Sequence, residues 1–587
     1  MNSILLAAFN SKYIHSSLAV RYLKSMMEQD IEVEVVEYTI NENIQDIIED
    51  IISKGYRVVA FSCYIWNIEM ILKVSETIKK IDPKLKLLFG GPEVSYDAIE
   101  VMKKYPWLDF VVRGEGEIAL KQFAEYLLGR REIEKVCNLT YRSQGSIEEN
   151  PLHPLIEDFS LIPEFYMQSE KHDFENKIVY YEASRGCTYR CAYCLSSISK
   201  RVRFFPLDRV KRELKHLVEL GVKQIKFVDR TFNYNKEYMM EMLEYLIFID
   251  DGKINFHFEI TASLLDKEVL SVLKQVRKGL FQFEIGVQST NDLTLKSVYR
   301  PNQFNKIREI VQEIKEGGNI HQHLDLIAGL PFETLEVFRT SFNDVFDLQP
   351  EMIQLGFLKL LKGTPMCELV QAHGIVYTSY PPYEVLKTNY LSYADVMLLK
   401  QVDHLVDRYY NTRKYTAMMS FLYRRFYLHK GFDLFCEFQK FVTSSRRQVG
   451  ASEEFYFLYE FLRWKTAGEE EGFLRDIVCF DAIMVGRKKK LPVLISSWLE
   501  AKEEDKKYLF QCLQRRDILE GLGFDDPSSK TVFKKAGYVF LRYDIIKYLR
   551  EGRCEERSCL MIVNYEKERD FSGYFPYVII DRRESGV

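Results

Sequence analysis

A short loop of the sequence carries three cysteines, Cys187, Cys191 and Cys194, in the spacing C-x3-C-x2-C. Three thiolates at this spacing can hold a [4Fe–4S] cluster by three of its four irons. The fourth iron then keeps an open position, where a metal centre binds the molecule that reacts. A zinc site would need a fourth Cys or His, but the nearest histidines, His172 and His216, lie outside the loop. The spacing therefore predicts an iron–sulfur cluster with one open iron.

The loop resembles the cluster-binding loop of the radical SAM superfamily. This resemblance implies that the open iron chelates S-adenosylmethionine (SAM) and that the reduced cluster cleaves SAM to a 5′-deoxyadenosyl radical. It also implies that Cys187, Cys191 and Cys194 are both the cluster ligands and the catalytic centre. In the superfamily the aromatic residue before the third cysteine packs near the SAM adenine, and Tyr193 occupies that position.

Further matches to the superfamily follow along the chain. The segment Glu284-Ile-Gly286-Val-Gln288-Ser289 is similar to an E-x-G-x-Q-S motif, and residues 323–331 look like an adenine-contact motif. Arg230 replaces the second acid of an F-x-D-D-x-F turn, which leaves the role of that position open. The SAM contacts that the resemblance implies are Tyr193, Glu259, Glu284, Gln288, Asp325, Ile327 and Gly329.

The first 130 residues alternate between short apolar runs and segments with helical spacing. This alternation predicts a parallel sheet with helices on both faces. Ligands of such sheets bind at the carboxyl ends of the strands, and glycines there let a ligand approach the backbone. The polar and glycine residues at these predicted strand ends are Asn10, Tyr13, His15, Ser62, Cys63, Tyr64, Gly90, Gly91, Pro92, Gly114, Glu115 and Glu117.

In this order, ahead of a radical SAM loop, these residues resemble the cobalamin-binding domain of B12-dependent radical SAM enzymes. The resemblance implies a Rossmann-like (flavodoxin-like) fold and contacts from those residues to cobalamin. The sequence contains no Asp-x-His-x-x-Gly, the motif that supplies a cobalt-ligating histidine in many B12 proteins. A base-off cobalamin without a ligand from that motif is therefore implied, although His15 is a candidate ligand.

The rest of the chain falls into three further segments. Residues 136–175 contain a predicted hairpin with its turn at Gln144-Gly145, followed by a proline-containing linker. Residues 176–375 show six strands with helices between them, a count that resembles the partial (β/α)6 TIM-type barrel of radical SAM cores. Residues 376–587 are predicted to be mostly helical and resemble a C-terminal region of an uncharacterised branch of this family. With the cobalamin-binding domain at 1–135, this gives an α/β fold class.

Composition limits the partners and the compartment. A net charge of −4 over 587 residues gives no long-range attraction to nucleic acid, and the basic run from Arg487 to Lys490 is interpreted as a solvated face. No apolar run reaches the roughly 18–20 residues that span a bilayer, so we expect no membrane partner. Eleven cysteines, most of them scattered, are typical of a reducing, cytoplasmic protein.

The family resemblance implies a reaction that needs both cofactors. The leading hypothesis is methyl transfer from methylcobalamin to an unactivated carbon, with flavodoxin or ferredoxin as electron donor and an unidentified small molecule, peptide or RNA as substrate. The first alternative is a radical rearrangement, cyclisation or electron transfer without net methylation. A methylthiotransferase would need three further N-terminal cysteines, but only Cys63 and Cys137 precede the loop. A cobalamin- or redox-responsive regulator is the non-enzymatic alternative.

Overall fold

The computed structural model describes residues 3–27, 31–199, 201–301, 303–444, 453–486, 491–524, 532, 534–570 and 573–582. The chain divides into two compact units, and each is described by itself. The first unit comprises Met1–Ile320, Gly329–Glu333 and Phe357–Ser392, and the second comprises His321–Ala328, Thr334–Gly356 and Tyr393–Val587. The basic run from Arg487 to Lys490 lies outside the described residues.

The N-terminal sheet of the first unit has seven strands in the order β2-β1-β3-β4-β5-β6-β7. Strands β1 to β5 are parallel, and their order is the flavodoxin-like order, as the sequence predicts. Strand β1 is apolar along nearly its whole length because helices cover both faces of the sheet. The strands are β1 Ser3–Asn10, β2 Glu32–Thr39, β3 Val58–Ser62, β4 Lys86–Gly90, β5 Phe110–Val112, β6 Leu139–Ser143 and β7 Ser146–Glu149.

Six helices flank this sheet and form two apolar cores, one on each face. The helix from Ile44 begins at Asn43, whose side chain accepts from the backbone N–H of Gln45, and it ends at Gly55 in the left-handed conformation. The helices are α1 Leu18–Ser25, α2 Ile44–Lys54, α3 Ile68–Ile81, α4 Pro92–Ser95, α5 Ala98–Lys104 and α6 Glu117–Leu127.

The predicted hairpin is present, with Gln144 and Gly145 at positive φ in its two-residue turn. Its first strand, β6, pairs antiparallel with β5. The hairpin therefore extends the N-terminal sheet, which the sequence analysis did not foresee. Short 3₁₀ turns at Phe159–Leu161, Phe165–Gln168 and Lys171–Phe174 follow it.

The second half of the first unit continues the alternation of strand and helix. Strands β8, β11, β12 and β13 form parallel pairs in the order β13-β12-β11-β8. The strands are β8 Val179–Tyr181, β9 Ser184–Arg185, β10 Arg203–Phe204, β11 Gln224–Phe227, β12 Asn255–Ile260, β13 Phe281–Gln288, β16 Val376–Tyr377 and β17 Val385–Lys387. The helices are α7 Leu207–Glu219, α8 Lys236–Phe248, α9 Lys267–Leu273, α10 Asp292–Ser297, α11 Phe304–Gly317 and α13 Met366–Leu369.

The two faces of these four parallel strands differ in chemistry. One face carries aromatic rings such as Tyr181, Phe227 and Phe258, which contact one another and, through Tyr181, the Glu213 carboxylate of α7. The register places a polar row on the opposite face, because Tyr180 is paired with Lys226, Lys226 with His257, and His257 with Gln282. In this sheet the helices cover the aromatic face, so the polar row lines the inner face of the barrel segment.

The second unit contains the fifth and sixth predicted strands, with a helix between them, and the C-terminal region. These elements are β14 His321–Ala328, α12 Leu335–Phe346 and β15 Met352–Phe357. The later helices are α14 Tyr393–Leu405, a π-helix Val406–Asn411, α15 Thr416–Phe426, α16 Gly431–Ser444, α17 Glu454–Lys465, α18 Glu471–Val485, α19 Val493–Trp498, α20 Glu503–Cys512, α21 Arg516–Leu522 and α22 Ile545–Glu551. Strands β18 Ala536–Tyr543, β19 Glu556–Asn564 and β20 Tyr577–Asp581 form an antiparallel sheet that follows the helices of this region. Among the described helices, none combines the length and the apolar character that a membrane crossing requires.

Candidate active site

Two short strands hold the ends of the cysteine loop together. Strands β9 and β10 pair antiparallel, with Arg185 opposite Arg203. Between them Gly186 has φ +97°, and a Cβ atom there would lie 2.0 Å from the carbonyl oxygen of Arg201. Only glycine fits this position, because the backbone conformation and the close contact both exclude a side chain.

The three predicted cluster ligands converge inside this loop. Cys187 and Cys191 are buried, Cys194 is partly exposed, and none is in a disulfide. Burial raises the pKa of the Cys187 thiol, and the charges of Cys194 and Cys191 act in the same direction. Three free thiols that interact electrostatically form a donor set that fits a [4Fe–4S] cluster.

Residues far away in sequence support the loop. The Arg300 guanidinium donates to the Cys191 sulfur at 3.5 Å, and the Thr231 hydroxyl lies 3.7 Å from the Cys187 sulfur. The backbone of Ala192 is held on both sides: its N–H donates to Val298 and its carbonyl accepts from Met366. These contacts place a permanent positive charge beside one ligand and fix the middle of the loop.

Four predicted SAM contacts lie in the first unit, in the cysteine loop or on the inner face: Tyr193, Glu259, Glu284 and Gln288. Glu259 lies 3.3 Å from the Arg230 guanidinium, and Glu284 pairs with Lys226 at 2.9 Å. His257 is 3.0 Å from the same Glu284 carboxylate. These carboxylates are thus part of a charged network on the inner face; Tyr193 lies in the loop itself.

Gln288, at the carboxyl end of β13, has two unusual features. Its φ is +70°, a conformation that few non-glycine residues adopt and that recurs at ligand-binding sites. Its side-chain oxygen is buried and has no hydrogen-bond partner within the described part of the chain. A buried acceptor without a partner is costly, so this atom fits a ligand that donates a hydrogen bond. The adjoining pocket is small, with a cavity volume of about 20 Å³, and is lined by Tyr189, Gly286 and Arg300 among others.

The remaining predicted SAM contacts lie in different units. Gly329 belongs to the first unit, has φ +91°, and would clash with Val385 if it carried a Cβ. Its N–H donates to the buried carboxyl of Glu333, and burial raises the pKa of Glu333 to about 8. Asp325 and Ile327 lie on β14 in the second unit, where Asp325 is 2.7 Å from His323.

The predicted cobalamin contacts gather at the carboxyl edge of the N-terminal sheet. Strands β1 and β3, where the strand order reverses, end at Asn10 and Ser62, and such a switch point is where ligands of this fold bind. The Asn10 amide donates to the carbonyl of His15, and the His15 ring contacts the Tyr180 hydroxyl at 2.8 Å. Burial lowers the pKa of His15, and Lys12 lowers it further, so the imidazole is neutral near pH 7.

The turns after β3 and β4 pack against each other at this edge. The Cys63 N–H donates to the Gly90 carbonyl, and Gly91, at φ +104°, lies so close that a Cβ would be 2.5 Å from the Cys63 oxygen. Pro92 begins α4 directly afterwards. Above the sheet edge, Tyr64 stacks on the half-exposed Trp66 with ring centroids 4.3 Å apart. Tyr13 is also exposed, so this edge offers flat apolar surface to a large ring system.

The acidic residues that follow β5 contact the cysteine loop, and their predicted contact with cobalamin stays a prediction. Gly114 has φ +67° and open space around it, which fits the close approach of a ligand. Glu115, however, pairs with Arg203 at 2.6 Å, and Glu117 pairs with Arg185 at 2.5 Å. The carboxylates of both predicted cobalamin contacts thus bind the two ends of the cysteine loop.

Several of these functional candidates were missed by the sequence analysis. Arg300 contacts a cysteine 109 positions away, and no local pattern marks it. Lys226 and His257 lie between apolar neighbours in their strands. A polar residue at such a position was the signal that could have marked them as functional candidates. Arg185 carried a similar signal, since it directly precedes the Gly186-Cys187 pair.

Comparisons with known families agree with this geometry. The B12 binding domain matches residues 4–124, and the radical SAM superfamily matches residues 181–345. The family described as protein of unknown function (DUF4080) matches residues 371–563. The chain belongs to the B12-binding radical SAM proteins. Its cofactors are accordingly a [4Fe–4S] cluster, SAM and cobalamin, and the thiols, the Gln288 oxygen and the sheet edge described above fit them.

Individual relatives of this B12-binding radical SAM protein are distant. It is 25% identical over 372 residues to the uncharacterized methyltransferase PH0819 of Pyrococcus horikoshii, an alignment that covers 62% of this chain and 80% of that protein. It is 24% identical to the anaerobic magnesium-protoporphyrin IX monomethyl ester cyclase of Rubrivivax gelatinosus, over 63% of this chain and 64% of the cyclase. The chain thus spans less than two thirds of the cyclase.

A solved structure shares the fold of the protein over most of its length. The cobalamin-dependent S-adenosylmethionine radical enzyme OxsB, bound to aqua-cobalamin and SAM, aligns with a TM-score of 0.56 and 15% identity. The alignment covers 90% of this chain and 78% of OxsB. At this identity the likeness establishes the fold, including the α/β domains and the helical C-terminal region.

Proposed function

We propose that this radical SAM enzyme is a cobalamin-dependent methyltransferase that delivers a methyl group to an unactivated carbon. The observation that carries the proposal is the direct contact between Arg185, two residues before the first cluster cysteine, and Glu117, in the turn after β5. This contact brings the base of the cysteine loop against the carboxyl edge of the B12-binding sheet. A reaction that uses both cofactors on one substrate needs this proximity.

Each group of residues has a separate task in this proposal. When bound, the cluster supplies the electron that cleaves SAM, and cobalamin carries the methyl group. Cys187, Cys191 and Cys194 hold the iron, while Arg300 balances the negative charge of the thiolates. Gln288 accepts a hydrogen bond from SAM through its buried oxygen. The remaining SAM and cobalamin contacts are proposed as the sequence analysis gives them.

The polar row on the inner face is the proposed substrate-binding surface. Tyr180, Lys226, His257 and Glu284 lie on four adjacent strands and hold one another by ion pairs and register. A barrel interior is usually filled with branched apolar side chains. Polar groups that are buried here are satisfied by one another and by the substrate, so we infer a substrate with hydrogen-bonding groups around an apolar carbon.

We infer that cobalamin binds in the base-off form without a protein ligand, because the sequence lacks Asp-x-His-x-x-Gly. The electron paramagnetic resonance spectrum of bound cob(II)alamin reports the axial ligand. We expect no nitrogen splitting and the same spectrum for His15→Ala. A nitrogen triplet that disappears in this variant would show that His15 ligates cobalt.

A second candidate function is cyclisation or rearrangement without net methylation. The match to the magnesium-protoporphyrin ester cyclase of Rubrivivax gelatinosus favours it, since that relative is named for a ring closure. Both functions require a substrate and a reductant, and we propose flavodoxin or ferredoxin as the electron donor. They differ in the fate of the SAM methyl group.

The deciding experiment follows both SAM products in the absence of oxygen. Protein reconstituted with iron, sulfide and hydroxocobalamin is incubated with titanium(III) citrate and methyl-deuterated SAM. A methyltransferase forms one S-adenosylhomocysteine per bound cobalamin, together with 5′-deoxyadenosine. Deoxyadenosine without S-adenosylhomocysteine would favour the non-methylating function, and neither product would contradict both.

The matched control compares two cysteine substitutions. Cys191→Ala removes a cluster ligand, so we expect it to lose iron and deoxyadenosine formation. Cys436→Ala removes a partly buried thiol of helix α16 in the second unit, and we expect it to keep both. Iron and deoxyadenosine retained in Cys191→Ala would contradict the cluster assignment.

A further inference from the structure

Four charged side chains join the turn after β5 to the two ends of the cysteine loop. They are Glu115, Glu117, Arg185 and Arg203, and we call them the carboxylate–arginine clamp. Arg185 stands at the entry to the loop and Arg203 at its exit, opposite each other on the paired strands β9 and β10. The two carboxylates stand at the carboxyl edge of the B12-binding sheet.

One carboxylate of the clamp contacts both ends of the loop. Glu115 lies 2.6 Å from Nη2 of Arg203 and 3.6 Å from Nη1 of Arg185. It also accepts from the backbone N–H of Ile156 at 3.0 Å. Burial raises the pKa of the Glu115 carboxyl, but the hydrogen bonds from Arg203 and Ile156 outweigh it and leave the pKa below its ordinary value. Glu115 is therefore ionised at neutral pH.

The entry to the loop is held by two further carboxylates. Glu117 contacts Nη2 of Arg185 at 2.5 Å, and Glu182 contacts its Nε at 2.9 Å. With Glu115 nearby, the Arg185 guanidinium thus faces three acids. Only Gly186 separates Arg185 from the first cluster ligand, Cys187, so the ion pairs of Arg185 hold the backbone directly before this ligand.

The clamp is buried, which makes it cooperative. The Arg203 side chain is 6% exposed and that of Glu117 is 7% exposed. A buried charge that loses its partner is strongly destabilised, so the clamp side chains stay in place together or leave together. The turn that carries Glu115 and Glu117 begins at Gly114, a residue that we propose contacts cobalamin.

We propose that this clamp couples the two cofactor sites, so that cobalamin bound at the sheet edge favours the cluster-binding arrangement of the cysteine loop. The coupling rests on the proposed function only in placing cobalamin at the turn after β5. Such coupling is reciprocal: the cluster must raise the affinity for cobalamin by the same factor by which cobalamin raises the affinity for iron.

The test measures this factor by binding, without catalysis. The dissociation constant of hydroxocobalamin is measured by absorbance for the full-length protein, once free of iron and once with the reconstituted cluster. In the unsubstituted protein we expect the cluster to tighten binding at least about fivefold. The ratio of interest is the dissociation constant of hydroxocobalamin without the cluster divided by that with the cluster. In Glu115→Gln, which keeps an oxygen acceptor but loses the charge, we expect this ratio to fall towards one.

The chain offers a closely matched control. Glu125 lies on the same domain, is 20% exposed like Glu115, and pairs with Arg131 at 2.6 Å. Glu125→Gln therefore removes a comparable ion pair away from the loop, and we expect it to keep the full ratio. If circular dichroism shows that Glu115→Gln is unfolded, Glu117→Gln, which frees only one carboxylate from Arg185, replaces it.

The reciprocal measurement is the iron retained at equilibrium with a competing chelator, with and without hydroxocobalamin. We expect cobalamin to increase the retained iron in the unsubstituted protein and in Glu125→Gln, but not in Glu115→Gln. A ratio of one in the unsubstituted protein, or a full ratio in the folded clamp variant, overturns the coupling while cobalamin binding itself stands. Failure of the unsubstituted protein to bind hydroxocobalamin overturns the proposed function as well.

Discussion

At the scale of single residues, charge placement beside the thiols is the most informative feature of the site. The Arg300 guanidinium donates to the sulfur of Cys191, and its partial burial limits the water that would screen this charge. Hydrogen bonds and charge near the sulfurs are among the factors that set the potential of an iron–sulfur cluster. Arg300 is therefore expected to make the cluster easier to reduce.

This expectation can be tested with two substitutions at one position. Arg300→Met removes the charge and the hydrogen bond, and we expect it to lower the reduction potential by about 60 mV, which is about 1.4 kcal/mol for one electron. Arg300→Lys keeps the charge and should shift the potential less. A redox titration followed by electron paramagnetic resonance measures both, and equal potentials in all three proteins would contradict the argument.

A second prediction at the residue scale concerns Gly186. A comparison with Gly221 separates the clash that a Cβ atom would cause from the strain of a positive φ. Gly186→Ala places a Cβ 2.0 Å from the Arg201 oxygen, so we expect the loop to open and the bound iron to fall severalfold. Gly221→Ala has a similar φ of +78° but nothing within 4 Å. It should keep its iron and lose only about 1 kcal/mol of stability.

At the scale of elements, the sequence predicted the alternation well and the long-range pairings poorly. The helices expected between the strands of residues 176–375 are observed, for example α7 and α8, since their apolar spacing marks the buried face. Strands β18 and β19 were missed, because residues 536–541 and 559–563 are apolar at almost every position, so no alternation with polar residues marks a strand. Contacts such as Arg300 with Cys191 depend on how separate elements meet, and local periodicity does not encode that.

A helix of the second unit provides a pH-dependent prediction. Helix α15 has no capping side chain of its own, and its first N–H groups, at Ala417 and Met418, donate to the buried Asp481 of α18. Burial raises the pKa of Asp481 to about 8 in the folded protein, above roughly 3.9 in the unfolded chain. The neutral carboxyl of Asp481 therefore makes its full contribution to the free energy of unfolding below pH 4. This contribution is lost as the pH rises to 8.

Thermal unfolding of the wild-type protein and Asp481→Asn at pH 6 and pH 8 checks this sign. Asparagine does not titrate, so we expect the wild-type protein to lose stability relative to the variant over this interval, by up to about 1.4 kcal/mol per pH unit. A difference between the two proteins that stays constant from pH 6 to pH 8 would show that the carboxyl is already ionised in the folded protein over this interval.

At the scale of the whole molecule, ion pairs between residues far apart in sequence hold the first unit together. Besides the clamp, Lys177 pairs with Glu37, and Lys362 pairs with both Glu93 and Asp97. Residues 1–135 and those residues of 176–375 that lie in the first unit, which the sequence predicts to be separate domains, thus belong to one compact unit. The proposed C-terminal segment, 376–587, contributes most of the second unit.

Amide hydrogen exchange tests this joint behaviour. When hydroxocobalamin binds, we expect slower exchange in β1 to β5, and also in α7 and α8 of the barrel segment, since opening either sheet breaks the ion pairs between them. The change should grow with cobalamin concentration as binding saturates. Protection confined to residues 1–135 would show that the two domains open independently.

The strand register of the barrel segment also has an evolutionary consequence. Side chains of the aromatic layer and side chains of the proposed substrate-binding surface alternate along each strand, as in Tyr181 next to Tyr180 and Phe227 next to Lys226. A mutation on the inner face can thus change substrate preference without disturbing the packing under the helices. Such a scaffold is evolvable: new chemistries on polar substrates can be sampled while the aromatic layer keeps the protein folded.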